Sequence, residues 1–215
     1  MDALLKSKMM FGLCLFVLAA FSISCSEEVS LCPDENHPHA IDLGLPNGTK
    51  WSCCNLGAPT PESSGGYYSW GETNVKSEYN GDNYYGPRHL ADIAGTEYDA
   101  ATVNWGDEWR MPNYEQVSEL LDYCKVKKGF TYHGVKGYLF TGPSGKSFFL
   151  PFCGYRVKDS VSADFQGYVW TSTRYREDNE RSVIHQSEVL KFNKKYSFHE
   201  ILPMEWGLNI RPITR

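Results

Sequence analysis

The residues with most chemistry to offer are seven cysteines, six histidines and a few short polar runs. Cys14 lies in an N-terminal apolar stretch and Cys25 just after it, which leaves Cys32, Cys53, Cys54, Cys124 and Cys153. An odd number of thiols cannot all pair within one chain. Adjacent Cys53 and Cys54 would point to opposite faces of a strand, one inward and one outward. No Cys-x-x-Cys is present, and Cys32, His37 and His39 share a polar, proline-containing segment without zinc-finger spacing. The remaining thiols therefore read as small buried hydrophobes, with no metal and no cofactor. Gly142-Pro143-Ser144-Gly145-Lys146-Ser147 has too few residues between its glycines for a phosphate loop and reads as a hairpin turn. No Gly-x-Ser-x-Gly elbow and no His-Glu-x-x-His occurs. Glu115 and Glu119 are one helical turn apart but read as a solvated pair. Asn80-Gly81-Asp82-Asn83 lacks the ligand count of a calcium loop. The expectation is a protein that is not an enzyme. Binding chemistry is richer: Trp170, the run Arg174-Tyr175-Arg176, Tyr196 and Trp206 combine rings with guanidinium groups, the pairing common in binding hot spots.

Composition narrows the class. The 215 residues carry a formal net charge of −5 and are 41% hydrophobic. A nucleic-acid binder would show a basic balance instead. Lys6 and Lys8 precede the apolar run Met9 to Ile23, which is 15 residues long. That is about 22 Å of helix, short of the roughly 20 residues a bilayer requires, and it reads as a secretory signal. Ser22-Ile23-Ser24-Cys25 resembles a bacterial lipobox, in which the cysteine is acylated (palmitate among the chains) and becomes the first mature residue. Ser26-Glu27-Glu28 is similar to the short acidic signal that carries Bacteroides-group lipoproteins to the cell surface. Residues 1–24 are thus expected to be a signal peptide, and 25–39 a lipidated Cys25 with a flexible tether. Residues 40–215 are expected to form a single domain. Its place would be the outer membrane, lipid-anchored and surface-exposed.

The domain opens with a hairpin: Ile41, Leu43 and Leu45 alternate with polar or small residues, Pro46-Asn47-Gly48 turns, and Trp51 and Cys53 return. A long polar excursion follows from Thr73 to Gly95, and a short helix is expected over Thr96–Val103. Asn113 and Gln116 form a capping-box pattern, and Val117, Leu120, Leu121 and Cys124 share one helical face. Lys125, Lys127 and Lys128 suit a helix C-terminus and Gly129 a stop. The spacing thus predicts one clear helix over about 114–127. The rest reads as strands: 137–141, 147–152, 167–172, 182–192, 196–202 and 208–213. Strands, then a helix, then many antiparallel strands define α+β.

A family pattern runs through these elements. Ile41-Asp42-Leu43-Gly44-Leu45, Lys50-Trp51, Asn55-Leu56-Gly57-Ala58, Tyr68-Ser69-Trp70-Gly71-Glu72-Thr73, Asn104-Trp105-Gly106, Trp109-Arg110-Met111-Pro112, Leu150-Pro151, Gly154-Tyr155-Arg156, Tyr168-Val169-Trp170-Thr171-Ser172 and Ile210-Arg211-Pro212 occur in order. Over roughly Ala40 to Arg215 the chain resembles the Fibrobacter succinogenes major paralogous domain of Bacteroides-group surface lipoproteins. The resemblance implies a C-type-lectin-like fold with long loops and with its first and last strands paired. The Glu-Pro-Asn and Gln-Pro-Asp signatures of calcium-dependent lectins are absent. The paired cysteines of the distantly similar formylglycine-generating enzyme have no match. The function implied is a non-catalytic binding or adhesion module for a glycan, a peptide or an envelope partner, held to the membrane by lipid. The alternatives are a structural or fimbrial component and, less favoured, a cysteine-based oxidase.

Overall fold

The computed structural model describes residues 31–162, 165–176 and 185–215. The signal and Cys25 lie outside them. Eleven strands and two helices are present among the described residues, and the strands pair almost wholly antiparallel, so the α+β expectation holds.

The opening hairpin forms as its alternation requires. β1 (Ala40–Asp42) pairs with β2 (Lys50–Ser52), with Ala40 opposite Ser52. β11 (Ile213–Thr214) adds to the other side of β2. The first and last strands therefore share a sheet but are not paired directly: β2 lies between them. The 142–145 turn docks on this sheet, where the Ser144 N–H donates to the Leu43 carbonyl at 2.9 Å and the Ser144 hydroxyl to that of Asp42 at 2.8 Å. Its role is tertiary, and Gly44, at φ +73°, leaves room for Ser144 where a Cβ would stand 2.9 Å from its nitrogen.

α1 (Ala100–Trp105) is capped by Asp99, and α2 (Tyr114–Tyr123) by the Asn113–Gln116 capping box. α2 buries Val117 and Leu120 completely. The helix stops four residues short of the sequence expectation. Cys124 is already extended, and β3 (Lys125–Tyr132) pairs with β4 (Val135–Thr141). Gly129, at φ +66°, sits in a bulge between Lys128 and Phe130 rather than ending a helix. The lysines suited either state. Val126 packs against the buried cluster that includes Leu120 and Phe140, and pairing with β4 outweighs the helical preference of three lysines.

β5 (Ser147–Pro151) completes the β3–β4–β5 sheet. β6 (Tyr155–Val157) and β7 (Ser160–Ser162) form a small hairpin. β8 (Gln166–Arg174), β9 (Gln186–Asn193) and β10 (Ser197–Pro203) form the third three-stranded sheet. The 208–214 segment stitches the parts together. Trp170 donates its backbone N–H to the Asn209 carbonyl, Leu208 pairs with Tyr68, and Ile213 pairs with Arg110. Two indoles lock the centre: Trp70 Nε1 donates to the Thr171 carbonyl at 2.9 Å and Trp170 Nε1 to that of Tyr68 at 2.7 Å. The 73–95 excursion is held by buried Tyr79, Tyr84 and Ile93 and contains a 3-10 turn over Gly81–Asn83.

Candidate functional site

The residues proposed from sequence do not converge. Trp170 is fully buried beneath β9 and the 208–214 segment, so it is a core residue and no ligand reaches it. Trp206 is half-buried, with its ring stacked on Tyr155 at 4.8 Å. Arg174 and Tyr175 are half-buried at one end of the β8–β9 pair, and Arg176 beside them is exposed. Tyr196 stands at the other end, in the β9–β10 turn. Seven residue steps of strand separate the two ends, about 23 Å. Of the six, Tyr196 alone lies on the aromatic surface described next.

That surface joins the β3–β4 hairpin to the β9–β10 turn. Phe165 is 59% exposed, with Lys194 Nζ 4.5 Å and Lys136 Nζ 5.5 Å from its ring centre. Lys127 lies over Phe130 at 4.8 Å, and Lys128 donates to the Lys195 carbonyl at 3.1 Å. Tyr196 and Phe198, both exposed, pack at 5.3 Å, and Lys191 reaches over Phe198. An ammonium over a ring is attracted by its negative face. This holds exposed phenyl and phenol groups within a field of positive charge. Phe165, Lys194 and Tyr196 sit in turns outside the strands, and periodicity alone does not show that segments distant in sequence meet there.

A second cluster lies at the start of the domain. The chain from Leu31 is docked rather than trailing: Leu31 is 5% exposed. Because Ala40 pairs with Ser52, the next step along the ladder sets His39 against Cys53. The Cys53 N–H donates to the His39 carbonyl at 2.9 Å, and the His39 N–H to Cys53 Sγ at 3.1 Å. His37 Nδ1 lies 3.2 Å from Cys53 Sγ and 3.5 Å from Cys32 Sγ, and His39 Nδ1 lies 3.7 Å from Cys53 Sγ. The four donor atoms all fall within 4.8 Å of one another. Residues 31–39, expected as the end of a flexible tether with no metal ligands, are thus docked and bring three of the four donors, while residues 25–30 lie outside the described residues. Linear spacing missed the cluster because Cys53 arrives through strand pairing. The turn did not give the register away: counting outward from the Leu45–Gly48 turn would set His39 against Cys54, one residue off the pairing that forms.

Electrostatics distinguish the thiols. Hydrogen bonding from the Cys54 thiol, then from the His39 N–H, Cys32 and His37, draws Cys53 well below the ordinary thiol range against the opposing push of burial. Burial, then the neighbouring Cys53, pushes Cys32 up to about 12. Cys54 is raised by its bond to Cys53 and by burial. Beneath them Arg211 is fully buried, donating to the Ser52 and Phe149 carbonyls at 3.1 and 2.8 Å. Burial lowers it to about 10, while the surrounding thiols act to raise it. Elsewhere burial lifts Cys124 to about 11 and Cys153 to about 12, which keeps both protonated and poorly nucleophilic.

Fold and sites together define an α+β domain of small antiparallel sheets, with a lysine–aromatic face and a cysteine–histidine cluster. No known protein family, curated protein or solved structure matches the chain.

Proposed function

We propose that this chain is a lipid-anchored surface protein of the bacterial envelope that binds an anionic polysaccharide on its lysine–aromatic face and catalyses nothing. The observation that carries the reading is the exposed Phe165 ring bracketed by Lys136 and Lys194, continuous with Tyr196 and Phe198. Rings stack on the C–H faces of sugars, and lysines meet sulfate or carboxylate groups as point charges. The lipobox-like Ser22–Cys25 and the acidic residues after it support acylation at Cys25 and export. The shared sheet of first and last strands, the single longer helix and the long loops support a C-type-lectin-like arrangement. Burial raises the thiols of Cys124 and Cys153, which disfavours an oxidase built on that pair.

The test uses the full chain in detergent micelles over an immobilised sulfated polysaccharide. Binding that weakens with salt is expected. Phe165→Ala should weaken it about tenfold, in the range of one stacked or cation-bearing ring. Binding that ignores both salt and Phe165→Ala would place the ligand elsewhere.

A further inference from the structure

Cys32, His37, His39 and Cys53 are brought together by a hairpin register and a docked nine-residue segment, and the polysaccharide reading gives them no part. We propose that these four residues form a tetrahedral zinc site that fastens the 31–39 segment to the first sheet. Zinc–sulfur bonds of about 2.3 Å and zinc–nitrogen bonds of about 2.0–2.1 Å give a tetrahedron with edges of about 3.3–3.8 Å. The edges present are 3.5 Å from Cys32 to His37, 3.2 Å from His37 to Cys53 and 3.7 Å from Cys53 to His39. The other three edges lie within 4.8 Å, so closing the tetrahedron needs shifts of up to about an ångström rather than refolding.

The surroundings match what such a site needs outside its ligands. His39 turns Nδ1 toward the cluster and Nε2 toward Asp34 Oδ1 at 3.2 Å. A carboxylate on the far nitrogen fixes the ring and its tautomer in metal-bound histidines. The His39 N–H on Cys53 Sγ supplies the backbone donor that a thiolate ligand attracts. Two thiolates and two neutral imidazoles around Zn²⁺ sum to zero charge, which suits a half-buried position. Binding follows Zn²⁺ + 2 RSH → Zn(SR)₂ + 2 H⁺, with the protons leaving Cys32 and Cys53 and no redox change. A surface cleft lined by Leu31, Cys32, Pro33 and His39 gives the ion a route in.

Linking residue 32 to residue 53 would make the lipid-proximal chain a rigid entry to the domain rather than a loose tether. The full chain, purified in detergent, is tested by elemental analysis and by cobalt exchange. One zinc per chain is expected. The cobalt form should show intense tetrahedral d–d bands with thiolate-to-cobalt charge transfer. Asp34→Asn should keep the spectrum and weaken zinc binding about tenfold or more. Cys32→Ser should remove part of the charge-transfer band. If that variant does not fold, His37→Gln is read by the same spectrum. A metal-free protein that shows no cobalt bands under reducing conditions overturns the proposal. So does a Cys32–Cys53 disulfide in the exported protein, or zinc binding that survives both His37→Gln and His39→Gln.

Discussion

Residues 62–122 and residues 123–215 handle charge in opposite ways. The first region has 12 acidic side chains against 3 basic ones, and the second has 8 acidic against 15 basic, so their net charges are −9 and +7. The overall −5 conceals this division. In the first region carboxylates act as backbone acceptors where regular structure is sparse. Asp99 receives the N–H groups of Gly95, Ala101, Thr102 and Met111 at 2.9–3.3 Å. Asp92 receives that of Ala94, Glu72 that of Tyr85, and Glu119 that of Asn47. In the second region the sheet ladders satisfy the backbone; Lys127, Lys136 and Lys194 lie over aromatic rings at the surface, while Lys191 is ion-paired with Glu200 at 3.0 Å. The acidic region spends its charge on holding itself together, whereas the basic region has charge free for a partner.

The comparison breaks most sharply at Asp99. Its carboxyl is fully buried, and four N–H groups from two sides of α1 converge on it. Asp99→Ala leaves these donors without an acceptor in a dry site. Unsatisfied buried groups cost about 1–3 kcal/mol each, so a loss of about 3 kcal/mol or more is expected in urea unfolding, with the remaining folded protein still binding polysaccharide. A loss under about 0.5 kcal/mol would mean that the acidic half is not built on its carboxylates.

The basic half should respond the other way. Changing Lys136 and Lys194 together to glutamate reverses the charge on both sides of Phe165. Binding to the sulfated polysaccharide at low salt should fall at least a hundredfold, while stability moves by no more than about 0.5 kcal/mol, as at ordinary surface positions. The mirror experiment, Glu97→Lys with Asp107→Lys in the acidic half, should leave affinity within a few-fold. Equal losses from both pairs would point to long-range attraction by net charge rather than a local face.

Local chemistry was legible in the sequence, and long-range placement was not. Asn113 and Gln116 announced the start of α2, because a capping box is complete within four residues. The end of α2 was not legible: Lys125–Gly129 fits a helix terminus as well as a bulged strand, and the choice is made by β4, ten residues further on. Trp170 looked like a ligand anchor because a strand sequence does not say which strand is central. The neighbours that cover it, β9 and residue 209, come later in the chain. The Cys53 cluster was hidden for the same reason, across the β1–β2 turn. Glu119 looked solvated beside Glu115, yet it is 6% exposed and holds the Asn47 turn from 72 residues away.

The smallest expected effect concerns where the two halves touch. His199 on β10 lies against α2, with Nε2 3.1 Å from the Ser118 hydroxyl and its ring 3.9 Å from that of Tyr114. Burial lowers its pKa below 6.5, and the nearby Asp122 carboxylate offsets only part of this. The folded state thus prefers the neutral ring. The preference is fully expressed above the unfolded value of 6.5 and is lost as pH falls through the lower folded value. His185 is lowered too, by burial and then by Arg88 and Arg174, and acts with the same sign. Melting temperature should therefore fall as the buffer passes from pH 7 to pH 5, and His199→Gln, which can keep the bond to Ser118, should fall less. A His199→Gln profile parallel to wild type would show that the contact between the acidic helix and the basic sheet is indifferent to the histidine's charge.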